Sequence, residues 1–128
     1  MNDVDASPLL PPPFGGLDLP PLAPLPGGWT TERFRCGPRE LDLLKPATPD
    51  ALLDDPEVIR AHQKNGYMPY WGYVWPSAYK MVVSLDRAPW KAGSEVLELG
   101  AGTGIVGLAA AARGDTVVYS DYDPTSCL

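Results

Sequence analysis

The sequence has no apolar run approaching the roughly 20 residues that a bilayer-spanning helix takes, so no transmembrane segment is expected. Its opening, "MNDVDASPLL", lacks the basic region and apolar core of a secretory signal. Cysteine is scarce. Cys36 and Cys127 lie far apart, form no CxxC and offer no metal-ligand spacing. They read as two reduced thiols of a cytoplasmic protein that holds no metal. Histidine occurs once, as His62 in "IRAHQKNG", and reads as a solvated surface residue on a helix. Positive charge is thin, with 10 Lys and Arg against 16 Asp and Glu. Residues 93–128 carry one base against five acids. No basic face is available for a phosphate backbone, so nucleic acid is set aside as a partner.

Proline is plentiful and unevenly placed. Residues 8–28, "PLLPPPFGGLDLPPLAPLPGG", hold eight prolines and four glycines without a helical or strand period. Such a stretch buries too little apolar area to offset its ordering entropy, so residues 1–28 are expected to be a polyproline-like or disordered arm. "PLAP" around Leu22 has PxxP spacing but no flanking arginine, and a loose tail is the preferred reading. From Trp29 the texture changes. "WTTERFRC", then "GPRE" and "LDLL", predict two short strands across a turn. Helical pieces are expected near Asp50 and at Asp55–Pro56, an N-cap with proline at N1, ending at Asn65–Gly66. Residues 29–66 thus form a small hairpin and helical region ahead of 67–128. In "PSAYKMVVSLDR", Ala78, Met81, Val82 and Leu85 fall at i, i+3, i+4 and i+7, which predicts an amphipathic helix opened by Pro76.

Residues 95–128 are the most legible. "SEVLEL" predicts a buried-type strand, "GIVGLAAAAR" a small-residue helix ending at Gly114, and "TVVYS" a second strand. "DYDP" starts a further helix, with Asp123 as N-cap and Pro124 at N1. Strand, glycine turn, helix and strand make the start of a Rossmann-like, doubly wound α/β sheet, of which two strands and one crossover helix are present. Ligands in such sheets lie at the carboxyl ends of the strands, so Gly100–Gly104 and Asp121 should face one crevice. Asp121, twenty-one residues after Gly100, is placed to accept hydrogen bonds from two ribose hydroxyls. A nucleoside-containing cofactor follows.

Two patterns compete for the same glycines. "GTGIVG", Gly102 to Gly107, satisfies the dinucleotide pattern GxGxxG. "ELGAGTG", Glu98 to Gly104, satisfies the acid-x-G-x-G-x-G pattern of S-adenosylmethionine-dependent methyltransferases. Glu98 separates them. A carboxylate beside a pyrophosphate costs about 3 kcal/mol per charge pair at ~5 Å and an effective dielectric near 20. The same group is favourable near a sulfonium and an ammonium, and it can also accept amide hydrogen bonds that steady the turn.

"PYWGYVWPSAYKMVVSL" followed by "VLELGAGTGIVGLAAAARGDTVVYSDYDP" resembles the class I, seven-strand methyltransferases of the protein-lysine and nicotinamide N-methyltransferase-like group. The resemblance covers about residues 67–128, the N-terminal portion of such a domain. It implies that Trp75 lies against the cofactor and that Gly100, Ala101 and Gly102 hold its methionine end. It further implies that Asp121 holds the ribose and that Tyr122 flanks the adenine. The implied activity is methyl transfer to a nitrogen of a protein side chain or small molecule, with an amine as partner and no membrane. In the family the adenine-capping residues and the acid–aromatic substrate motif come after later strands, so no catalytic residue is named within 1–128. The chain alone is expected to be unstable and inactive. Within "YMPYWGYVW", Tyr67 and Tyr73 are expected to be core packing, and Trp75 part of a lid that attracts the sulfonium by cation–π contact. A non-catalytic nucleotide-binding or partner-docking module, and an NAD-dependent oxidoreductase, are the alternatives.

Overall fold

The computed structural model describes residues 21–127. Much of the proline-rich stretch thus lies outside the described residues. Its end does not hang free, because the Trp29 indole Nε1 donates a 2.7 Å bond to the carbonyl of Ala23. Strands β1 (Trp29–Cys36) and β2 (Arg39–Pro46) form an antiparallel hairpin across Gly37 and Pro38. Alternation explains its two faces. Phe34, Cys36 and Leu43 turn inward, while Arg33 and Arg35 point out, opposite their register partners Asp42 and Glu40.

A 3₁₀ turn (Pro49–Asp54) and helix α1 (Pro56–Asn65) follow. The Asp55 carboxylate caps α1 by accepting from the Glu57 amide at 2.8 Å, and Gly66 ends the helix in the left-handed conformation. His62 is exposed, as expected. The aromatic segment then passes through a short 3₁₀ turn (Tyr70–Gly72) into helix α2 (Pro76–Asp86). The core joins the hairpin to α2 through Val82 and Leu85, and to helix α3 (Ile105–Ala112) through Ile105, Ala109 and Ala110. The run of alanines lets α2 and α3 approach closely. Met81, on the predicted apolar stripe, departs from it and is 55% exposed.

Strands β3 (Glu95–Leu99) and β4 (Thr116–Ser120) pair in parallel, with α3 as the crossover, so the chain is a mixed α/β protein. The buried-type strand expected at β3 is covered on one face only. Val96 and Glu98 are partly buried, whereas Leu97 and Leu99 are exposed together with Val118 of β4. Asp123 caps a 3₁₀ turn (Pro124–Cys127), accepting from the Thr125 amide at 2.8 Å. Cys36 is buried and Cys127 exposed, both as free thiols. Among the described residues no helix is long and apolar enough to cross a membrane, and no cluster of His, Cys, Asp and Glu could hold a metal.

One buried carboxylate fastens these pieces. Asp115 Oδ1 accepts from the amides of Gly93 and Ser94 at 2.9 and 3.0 Å, just ahead of β3. The Arg113 Nε stands 3.2 Å from Asp115 Oδ2, an ion pair without hydrogen-bond alignment. The same guanidinium donates to the carbonyls of Leu85 and Trp90, both at 2.8 Å, and lies over the Trp90 ring. Replacing Asp115 by Ala would strand two amides and a part-buried cation. Asp115→Ala is therefore expected to lower the unfolding free energy by about 3 kcal/mol, measured by urea titration with tryptophan fluorescence.

Candidate functional site

The turn between β3 and α3 is fixed from both strands. Gly102 has a left-handed backbone (φ +54°), and its amide donates to Asp121 Oδ2 at 2.7 Å. A Cβ at this position would come within 3.2 Å of the Trp71 carbonyl, so only glycine fits comfortably. The Asp121 Oδ1 accepts from the Asp123 amide at 2.9 Å. Burial raises the pKa of Asp121, but the amides of Asp123 and Gly102 outweigh it and the net shift is downward. Asp121 is thus ionised at neutral pH. A carboxylate offers about four acceptor sites, so these two backbone bonds leave capacity for hydroxyls of a ligand.

Glu98 has a structural partner. Its Oε2 accepts from the amide of Gly107 at 2.7 Å, within the first turn of α3. The N-cap of that helix is Gly104, which has no side chain to cap with, and Glu98 reaches across from β3 to do so. Gly107 makes room for it, since a Cβ there would overlap Glu98 Oε2 and the Tyr119 ring. Burial pushes the Glu98 carboxyl up from its ordinary value, and the Gly107 amide offsets part of that rise.

These groups border a cavity of about 670 Å³, within the range of small-molecule sites. The structure brings Trp75, Glu98, Gly100, Ala101, Gly102, Asp121 and Tyr122 to its wall. Gly104 is not among them; it serves α3 as its N-cap and faces Tyr119. Three carboxylates (Glu98, Asp121, Asp123) and seven aromatic residues line the cavity, and among the described residues no Lys, Arg or His does.

The aromatic segment divides between packing and site. Trp71 is buried, its ring 6.2 Å from that of Trp29. Trp75 is 49% exposed on the cavity wall. Tyr67 and Tyr73, expected as core packing, are partly buried but also hydrogen-bonded. The Tyr67 hydroxyl donates to Asp123 Oδ2, and burial together with that carboxylate raises the phenol's pKa. The Tyr73 hydroxyl donates to Asp50 Oδ1 at 2.7 Å. Met81, on the apolar stripe of α2, and Asp123, expected as an N-cap, also line the cavity. No local signal couples Tyr67 to Asp123 across 56 residues.

Residues 54–128 match the family model described as lysine methyltransferase. The chain belongs to the lysine methyltransferase family. The match takes in α1 through the end of the chain, including every residue of the expected site, while the β1–β2 hairpin precedes it. It agrees with the class I methyltransferase resemblance read from the sequence. Neither curated proteins nor solved structures gave a match to this methyltransferase chain.

Two outcomes follow for the methyltransferase turn. The raised Glu98 pKa means that the folded state holds this proton more tightly than the unfolded chain. Its contribution to stability therefore declines as pH rises from about 4.5 through the folded value. Gln keeps an acceptor for the Gly107 amide and does not titrate. Urea titrations of Glu98→Gln should thus show stability gaining on wild type between pH 4 and 7. Gly107→Ala drives the carboxylate off α3 and should destabilise by about 1–2 kcal/mol, again by urea titration.

Proposed function

We propose that this methyltransferase uses S-adenosylmethionine and methylates a nitrogen, that of a lysine side chain or a small amine. The observation that carries the reading is the cavity's lining: carboxylates and aromatic rings with no Lys, Arg or His among the described residues. A dinucleotide would set its pyrophosphate against Glu98 and Asp121 without a cation to offset it, which disfavours the NAD-dependent oxidoreductase. A sulfonium donor suits the same lining, and when bound it supplies an electrophilic methyl carbon.

In this reading Gly100, Ala101 and Gly102 receive the methionine end, with Glu98 supplying negative potential behind the turn. Asp121 accepts from the ribose hydroxyls with its remaining lone pairs, Trp75 lies against the sulfonium and Tyr122 flanks the adenine. Methyl transfer asks mainly for alignment of the attacking nitrogen, which the walls of a shaped cavity provide. The acceptor amine must arrive unprotonated, which desolvation together with a nearby proton acceptor would achieve. The free thiols Cys36 and Cys127 support a cytoplasmic setting.

Isothermal titration decides among the readings. S-adenosylmethionine and its demethylated product should bind, and NAD should neither bind nor compete. Asp121→Ala should weaken binding by about 1–3 kcal/mol, the range for a lost charged hydrogen bond. Binding of NAD alone would favour the oxidoreductase, and binding of neither ligand the partner-docking module.

A further inference from the structure

Residues 21–28 close the proline-rich stretch, and the structure turns them back on the body of the protein. Gly27 and Gly28 both take the left-handed backbone (φ +79° and +74°), and the Gly28 amide donates to the Leu25 carbonyl at 2.9 Å. A Cβ on Gly27 would come within 2.9 Å of the Thr48 side chain, so the reversal needs glycine there. The Gly28 carbonyl accepts from the Ala47 amide at 2.8 Å, which ties the reversal to the end of β2. Ahead of it, the Trp29 indole donates to the Ala23 carbonyl at 2.7 Å. Leu22 and Ala23 are partly buried, whereas the flanking Pro21 and Pro24 are exposed. The apolar pair thus turns toward the protein and the prolines toward solvent. Leu22 and Ala23 border a second cavity, of about 210 Å³, together with Trp29, Trp71, Gly102 and Thr103. The last three also border the main cavity, so the two spaces share the glycine turn as a wall.

We propose that residues 21–25 are a positioning strap for the glycine turn, and that docking of the strap and binding of a ligand at the turn strengthen each other. The link runs through two rings. The bond to Ala23 fixes the Trp29 indole, which lies 6.2 Å from the Trp71 ring, and the Trp71 backbone crowds Gly102. When the strap lifts, the Trp29 N–H loses its partner, its ring regains rotamer freedom, and Trp71 is held less firmly against the turn. The strap itself is held by one side-chain hydrogen bond and two small apolar side chains. It therefore opens more readily than the core does. A ligand that requires the ordered turn binds the docked form better, and by linkage it favours docking by the same factor. The coupling to a ligand rests on the proposed methyl-donor site, while the coupling to the turn does not.

Hydrogen exchange followed by NMR reads both couplings. The Gly102 amide, bonded to Asp121, should be protected, and Leu22→Asp should speed its exchange about fivefold. Trp29→Phe, which keeps a ring beside Trp71 and removes the N–H donor, should do the same. Amides in the middle of β1 and α2 should hold their rates in both variants, whereas general destabilisation would move them all. Titration calorimetry should show S-adenosylhomocysteine binding about fivefold more weakly to each variant than to wild type. Saturating ligand should slow exchange of the wild-type Trp29 indole proton by that same factor. Gly102 exchange that ignores both substitutions, or that rises only together with β1 and α2, would overturn the strap. Equal S-adenosylhomocysteine affinity in wild type and both variants would do so too. Absence of S-adenosylhomocysteine binding to the wild type would instead remove the methyl-donor reading, and the Gly102 response would still decide the strap.

Discussion

Two carboxylates, one within β3 and one just past the end of β4, hold the glycine turn and the helix behind it, and the site depends on that grip. Glu98 reaches forward to the third amide of α3, and Asp121 reaches across to the amide of Gly102. Neither bond is available to a turn built from larger residues, because Gly102 needs its left-handed backbone and Gly107 its missing Cβ. The strand ends, the turn and the helix are thereby one unit. A half-buried charge is tolerated in β3 because the exposed amides of a helix terminus need an anion.

Around this unit the rest of the chain acts as a frame. Trp71 packs against the hairpin through the tilted ring of Trp29 and sets its backbone against Gly102, which links the N-terminal region to the turn. Tyr67 ties the aromatic segment to the loop after β4 through Asp123. Arg113 and Asp115 close the opposite end, joining the ends of α2 and α3 to the entry of β3. Membership of the lysine methyltransferase family gives this frame its context, and the anionic, aromatic cavity is its chemical counterpart.

Local grammar was readable wherever one residue type has one job. The hairpin followed from strand alternation around Gly37–Pro38, and α1 from Asp55, Pro56 and Gly66. The β–α–β order followed from two apolar runs around a glycine turn and an alanine-rich helix. What escaped was the choice among equivalent faces. A helical period identifies a stripe but not which edge of it is covered, and so Met81 shares the stripe with Val82 and Leu85 although it borders the cavity. β3 is apolar on both sides, and its sequence cannot distinguish the face under α3 from the open one. Seven of the eight expected site residues reach the cavity wall, and Gly104 instead opens α3. The Tyr67–Asp123 and Tyr73–Asp50 bonds join distant segments and depend on the assembled fold.

The crowding of Gly102 against Trp71 has a kinetic corollary. The turn's backbone is already confined by Asp121, by the first turn of α3 and by the Trp71 carbonyl. A molecule settling there has little loop freedom left to quench. Association should then run at the pace of encounter, with differences among ligands expressed in how long each one stays.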